Sequence, residues 1–150
     1  MKKIIYIITS IFLYTTVSAI EKTKEEKVAE YVLKNIQKDY TSCYAFYKIA
    51  NESFKKANAK KSVIEGLEKS SDVTLKFAHD LGEVLNYKPK VMAENKKNEI
   101  KKLSTIAKKD FNKLSKKYGI ICKSLVENQK QRINYWENEG NKKISISIRS

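Results

Sequence analysis

His79 is the one side chain of this 150-residue chain whose ordinary pKa lies near neutrality, and it stands beside Asp80 and four residues before Glu83. On a helix that spacing sets an imidazole against a carboxylate, the arrangement that orients a general base. No Ser or Cys nucleophile stands at a recognisable spacing from it, and a surface His-Glu pair four residues apart is ordinary helix electrostatics. Haem ligation would require His79 and Met92 to converge across the fold. Acid-base chemistry by carboxylates needs two of them in different environments facing one cleft. The pairs Glu25-Glu26 and Glu137/Glu139 fall instead on polar surfaces near helix ends. The sequence also lacks a Gly-rich phosphate loop, a His-Glu-x-x-His zinc motif and a Gly-x-Ser-x-Gly elbow. The expectation is a protein that is not an enzyme, with no catalytic, metal or cofactor-binding residue and no cofactor.

Cys43 and Cys122 are the only thiols, 79 residues apart. There is no Cys-x-x-Cys, and one His with two Cys does not complete a zinc set unless carboxylates help. In an oxidising compartment such an isolated pair forms one disulfide.

Charge is the strongest signal. The chain carries 31 Lys and Arg against 17 Asp and Glu. Between Lys88 and Lys117 there are eleven Lys against Glu94, Glu99 and Asp110, a local net of +8. At about 100° per residue, Lys102, Lys109, Lys113 and Lys116 fall opposite the apolar stripe of Ile100, Leu103, Ala107 and Phe111, forming a candidate anion-binding ridge. Such a face attracts an anionic membrane surface or acidic protein clients. Only Arg132 and Arg149 supply guanidinium, so sequence-specific nucleic-acid reading, which relies on bidentate Arg, is not expected. A/T-rich coding also enriches Lys, so the charge alone does not define a site. The aromatics Tyr44, Phe46 and Tyr135 flank the cysteines in sequence and are candidates to face a ligand groove, while Tyr40, Tyr47 and Trp136 belong to the core stripes.

The elements that must position these residues are helices. Four Gly and one Pro leave too few turns for a sandwich or barrel, and 150 residues suit one core. Thr23-x-x-Glu26 is a capping box opening a long first helix to about Ala57, with Val28, Val32, Ile36, Tyr40 and Cys43 on one stripe. Ser62 caps a second helix ending near Tyr87, and a third begins beyond Pro89. The stripe then continues past Gly119 through Cys122, Leu125, Gln129, Ile133 and Trp136. A straight last helix would hold the two cysteines roughly 30 Å apart along the axis. A disulfide needs Cα atoms within about 7 Å. A chain reversal at Gly119 reduces that mismatch. The fold expected is therefore all-α, a small antiparallel bundle of four helices, with three long helices as the alternative.

Met1-Lys2-Lys3, the apolar run over residues 4–14 and Thr15-Thr16-Val17-Ser18-Ala19 read as a secretory signal cleaved near Ala19. The run is shorter than the roughly 20 apolar residues of a spanning helix. The domains expected are a signal over 1–19, a helical bundle over 20–139 and a flexible tail over 140–150, where Ile144, Ile146 and Ile148 alternate with Ser. In size, charge and export the chain is similar to basic helical holdase chaperones of the periplasm, a resemblance of composition that implies unfolded protein clients. The function expected is that of a small exported binding or interaction protein, periplasmic or extracellular, with a Lys-rich face. A structural part of an envelope assembly is the alternative, and a small-ligand-binding bundle or an enzyme a more distant one.

Overall fold

The computed structural model describes residues 22–147, so the signal read over residues 1–19 lies outside the described residues. They form five helices and no strand. α1 spans Lys24–Lys56, α2 Lys61–Val84, α3 Pro89–Lys109, α4 Phe111–Glu127 and α5 Gln129–Ser147.

α1 is the spine, because it carries most of the buried side chains and touches all four other helices. Its start is the capping box read from sequence: Thr23 Oγ1 accepts from Glu26 N at 3.2 Å and Glu26 Oε2 accepts from Thr23 N at 2.8 Å. Asn58 and Asn86 close α1 and α2 at positive φ, 51° and 56°, a region Asn tolerates better than most residues. Pro89 then takes the first position of α3, where its missing N–H costs nothing.

Cross-helix pairs give the directions. Asn51 Nδ2 donates to Ile64 O and Gln37 Nε2 to Ala78 O, so α2 runs antiparallel to α1. Ser42 bonds Glu99 while Gly82, Gln37 and Met92 meet lower down, so α3 runs parallel to α1. Phe54 meets Phe111, Phe46 meets Tyr118 and Cys43 is joined to Cys122, so α4 runs antiparallel. α5 continues that descent, with Arg132 on Asp39 and Gly140 against Tyr31.

The all-helical expectation holds, but the count of four becomes five and the reversal is not at Gly119. Gly119 lies inside α4. The chain turns at Asp110, whose extended backbone (φ −160°, ψ 94°) breaks the helix and whose Oδ1 accepts from Lys113 N at 2.9 Å. A second break at Asn128, whose Oδ1 accepts from Gln131 N, divides α4 from α5. Turning at Asp110 brings Cys122 level with Cys43, at a Cα–Cα distance of 5.4 Å. Leu103, Leu114, Leu125 and both cysteines are almost fully buried around it.

Gly140 lies inside α5. It is buried, and a Cβ there would lie 3.0 Å from the Tyr31 ring, so the missing side chain lets α5 approach α1 closely. Ile133, Trp136, Gly140 and Ile144 are one helical stripe, and the helix runs to Ser147. The Ile/Ser alternation that suggested a tail begins on a residue of that stripe.

One charge cluster locks α5 in place. Asp39 accepts from Arg132 Nε at 2.7 Å, from a second Arg132 nitrogen at 3.1 Å and from Trp136 Nε1 at 2.6 Å, with the guanidinium against the Tyr135 and Trp136 rings. The Asp39 and Arg132 side chains are only 13% and 17% exposed, so breaking this bidentate pair strands a charge in a poorly solvated place. Asp39→Ala is expected to lower unfolding stability by about 3 kcal/mol. Amide exchange would quicken in α5 before α1, and equal acceleration in both would show that the pair does not fasten α5.

Candidate anion-binding site

The ridge of Lys102, Lys109, Lys113 and Lys116 was drawn on one continuous helix, and the break at Asp110 redistributes it. Lys102 turns toward α1. Its ammonium donates to both Glu99 oxygens at 3.0 Å, and Glu99 Oε1 also accepts from Ser42 at 2.8 Å. Burial alone would lower the Lys102 pKa, but the Glu99 carboxylate and the nearby Tyr118 hydroxyl raise it above the ordinary lysine value. Lys116 is exposed on α4, one turn beyond Lys113.

Lys109 and Lys113 do come together, with a third residue that the ridge omitted. α3 and α4 form a hairpin about Asp110, and its inner face is a concavity of about 380 Å³ rimmed by Lys109, Lys113 and Lys117. Ile106, Leu114 and Tyr118 line its apolar part, and the Lys117 ammonium lies 5.4 Å from the Tyr118 ring centre. The three lysines are spaced by four and so form a row legible in the sequence, but Lys117 does not lie opposite the apolar stripe of a single unbroken helix.

Of the eleven Lys from Lys88 to Lys117, Lys102 is the one held in an ion pair among the described residues. Lysines elsewhere are more often matched, such as Lys34 with Glu30, Lys55 with Glu68, Lys76 with Asp80 and Lys142 with Glu139. Asp110, the nearest acid to the hairpin lysines, has one oxygen committed to its cap.

The other candidates are dispersed. His79 Nδ1 lies 3.8 Å from Glu83, but Asp80 is taken by Lys76 at 2.6 Å and all three face solvent on α2. The gap shared by His79 and Met92 is about 10 Å³, far too small for a macrocycle. Glu26 is spent in the capping box and Glu139 pairs with Lys142. Phe46 is buried against Tyr47 and Tyr118, which makes it a core residue rather than a groove residue. Tyr44 lies half-buried between α1 and α2, and Tyr135 meets Trp136 edge-to-face on α5, so the three aromatics share no groove.

Two further concavities flank α1. One, of about 580 Å³, is apolar and runs beneath α5, lined chiefly by Val28, Val32, Ile36, Leu81 and Ile133. The other, of about 420 Å³, is polar and lies between α1 and α3, with Lys34, Lys38, Asn95, Asn98 and Glu99 in its lining. Above it, Glu30 lies between Lys22 and Lys34, whose ammoniums hydrogen-bond it and hold its carboxyl well below the ordinary 4.5, at about 2. A depressed folded pKa gives stabilisation that is present above the unfolded value and is lost as pH falls from about 4.5 through about 2. The carboxyl carbon of Glu30 is expected to titrate in that acid range at low salt and to move up as salt screens the pair. A midpoint in the ordinary glutamate range at low salt would show that the pairing does not persist in solution.

Among the described residues no helix is long and apolar enough to cross a membrane. The chain matches no protein-family model, and no curated protein or solved structure shows significant similarity to it.

Proposed function

We propose that this is a non-enzymatic binding protein of an exported, oxidising compartment that attaches to anionic surfaces through the α3–α4 hairpin. The observation that carries the reading is the meeting of Lys109, Lys113 and Lys117 over an apolar floor, with no carboxylate among the described residues paired to any of them. Three ammoniums against the single carboxylate of Asp110 leave this concave face net positive, which raises the local concentration of anions, and the apolar floor suits the lipid side of a headgroup layer. The exported compartment rests on the leader-like residues 1–19, and the Cys43–Cys122 bond accords with it.

Co-sedimentation with vesicles tests the proposal. Binding to vesicles of an anionic phospholipid is expected, together with little binding to zwitterionic ones and release on raising salt. Equal binding to both lipids, or none to either, would rule the reading out. The apolar groove beneath α5 favours a second reading, the holding of unfolded clients. That reading requires suppression of aggregation of a reduced, unfolding protein, with salt having little effect.

A further inference from the structure

The polar cleft between α1 and α3 is a surface groove with exposed walls over a buried polar floor of Gln37, Thr41 and Ser42. Two polar stripes face each other there. α3 contributes Asn95, Asn98, Glu99 and Lys102, spaced by three, one and three, and α1 contributes Lys34, Lys38, Thr41 and Ser42 at the matching period. Below them the buried floor is already satisfied: Gln37 donates to Thr41 and Ala78 O, and Ser42 donates to Glu99. Higher up the hydrogen-bonding capacity is free. Among the described residues Asn95 and Asn98 are exposed without a protein partner, Asn35 has one N–H on Tyr31 O and its carbonyl oxygen open, and Tyr87 closes one wall. Lys38 has no carboxylate partner among the described residues, whereas Lys34 and Lys102 are occupied by Glu30 and Glu99.

This inventory selects a ligand chemistry. Free amides offer donors and acceptors side by side, which suits neighbouring hydroxyl groups rather than an apolar body. A phosphate group draws on several cations or a run of backbone N–H groups, and here one lysine is uncommitted. One free ammonium beside several amides and an aromatic wall matches a polyhydroxylated molecule with a single negative charge. The cleft, about 420 Å³, falls in the roughly 300–1,000 Å³ range of small-molecule sites.

We propose that the α1–α3 cleft is a binding site for a carboxylated sugar, with Lys38 taking the carboxylate and Asn95, Asn98 and Tyr87 the hydroxylated ring. It is separate from the hairpin lysines, and neither site depends on the other. The test is titration calorimetry of the full chain with glucuronate- and galacturonate-containing disaccharides, a neutral disaccharide and inorganic phosphate. An acidic disaccharide is expected to bind at least about tenfold more tightly than the neutral one, without competition from phosphate. Lys38→Gln should erase that preference and leave neutral-sugar binding as it was. Asn98→Ala should weaken both sugars about tenfold, with an unchanged melting temperature excluding a folding defect. No heat with any sugar at millimolar concentration overturns the proposal. So do equal affinities for acidic and neutral sugars, displacement by phosphate, or an Asn98→Ala protein that binds as the wild type does.

Discussion

Replacing both Cys43 and Cys122 by Ala is expected to lower the unfolding free energy by about 4 kcal/mol, the largest loss of stability foreseen for a change at two positions. The bond closes 79 residues of chain, so its removal releases a large loop in the unfolded ensemble. It also leaves two small vacancies, since both side chains are fully buried among Leu103, Leu114 and Leu125. For a domain of this size, total stability is on the order of 5–15 kcal/mol, so much of it depends on one covalent link. The melting temperature should fall by roughly 10–20 °C. Full burial also means that a reductant reaches the sulfurs only after the bundle opens, so reduction of the native protein should be slow and should quicken with mild denaturant. A change below about 1 kcal/mol would show that α1 and α4 are held by packing alone.

Reversing the hairpin charge is the largest expected change in binding. A lysine near an anionic membrane contributes about 1 kcal/mol, so Lys109→Glu, Lys113→Glu and Lys117→Glu together remove about 3 kcal/mol and add repulsion of similar size. The vesicle partition constant should drop more than about 100-fold. Reversing Lys24, Lys69 and Lys130 changes net charge equally, but these exposed lysines lie away from the hairpin and should cost much less. If both triple variants lose the same affinity, the attraction belongs to overall charge and not to the hairpin. The three hairpin lysines have no ion pair among the described residues, and Lys117 only an exposed contact with the Tyr118 ring, so their reversal should change stability by no more than about 1 kcal/mol.

The parts of this fold legible in the sequence are those set by local chemistry. Thr23 and Glu26 announce the start of α1, Pro89 the start of α3, and the stripe from Val28 to Cys43 the buried face of α1. Misreadings arose where one residue type has two physical uses. Gly119 looks like a stop yet lies in the middle of α4, whereas Gly140 lets α5 approach Tyr31. Asp110 stops α3 through its cap, a signal hidden because the apolar phase passes over it almost undisturbed. The turn at Asp110, nine residues before Gly119, also divides the expected lysine ridge between α3 and α4. The polar cleft was legible only as a pair of polar stripes on α1 and α3, and pairing them required knowing that the two helices face each other. Asp39, Arg132 and Trp136 are far apart in sequence, and nothing local marks them as partners.

Backbone amide shifts of the isotope-labelled protein, followed as nanodiscs of an anionic phospholipid are added, report the attachment surface directly. The account predicts perturbations concentrated at Lys109, Lys113, Lys117 and the Asp110 turn, which reverse as salt is raised and do not appear with zwitterionic nanodiscs. Perturbations centred on the groove beneath α5, or none anywhere, would contradict it.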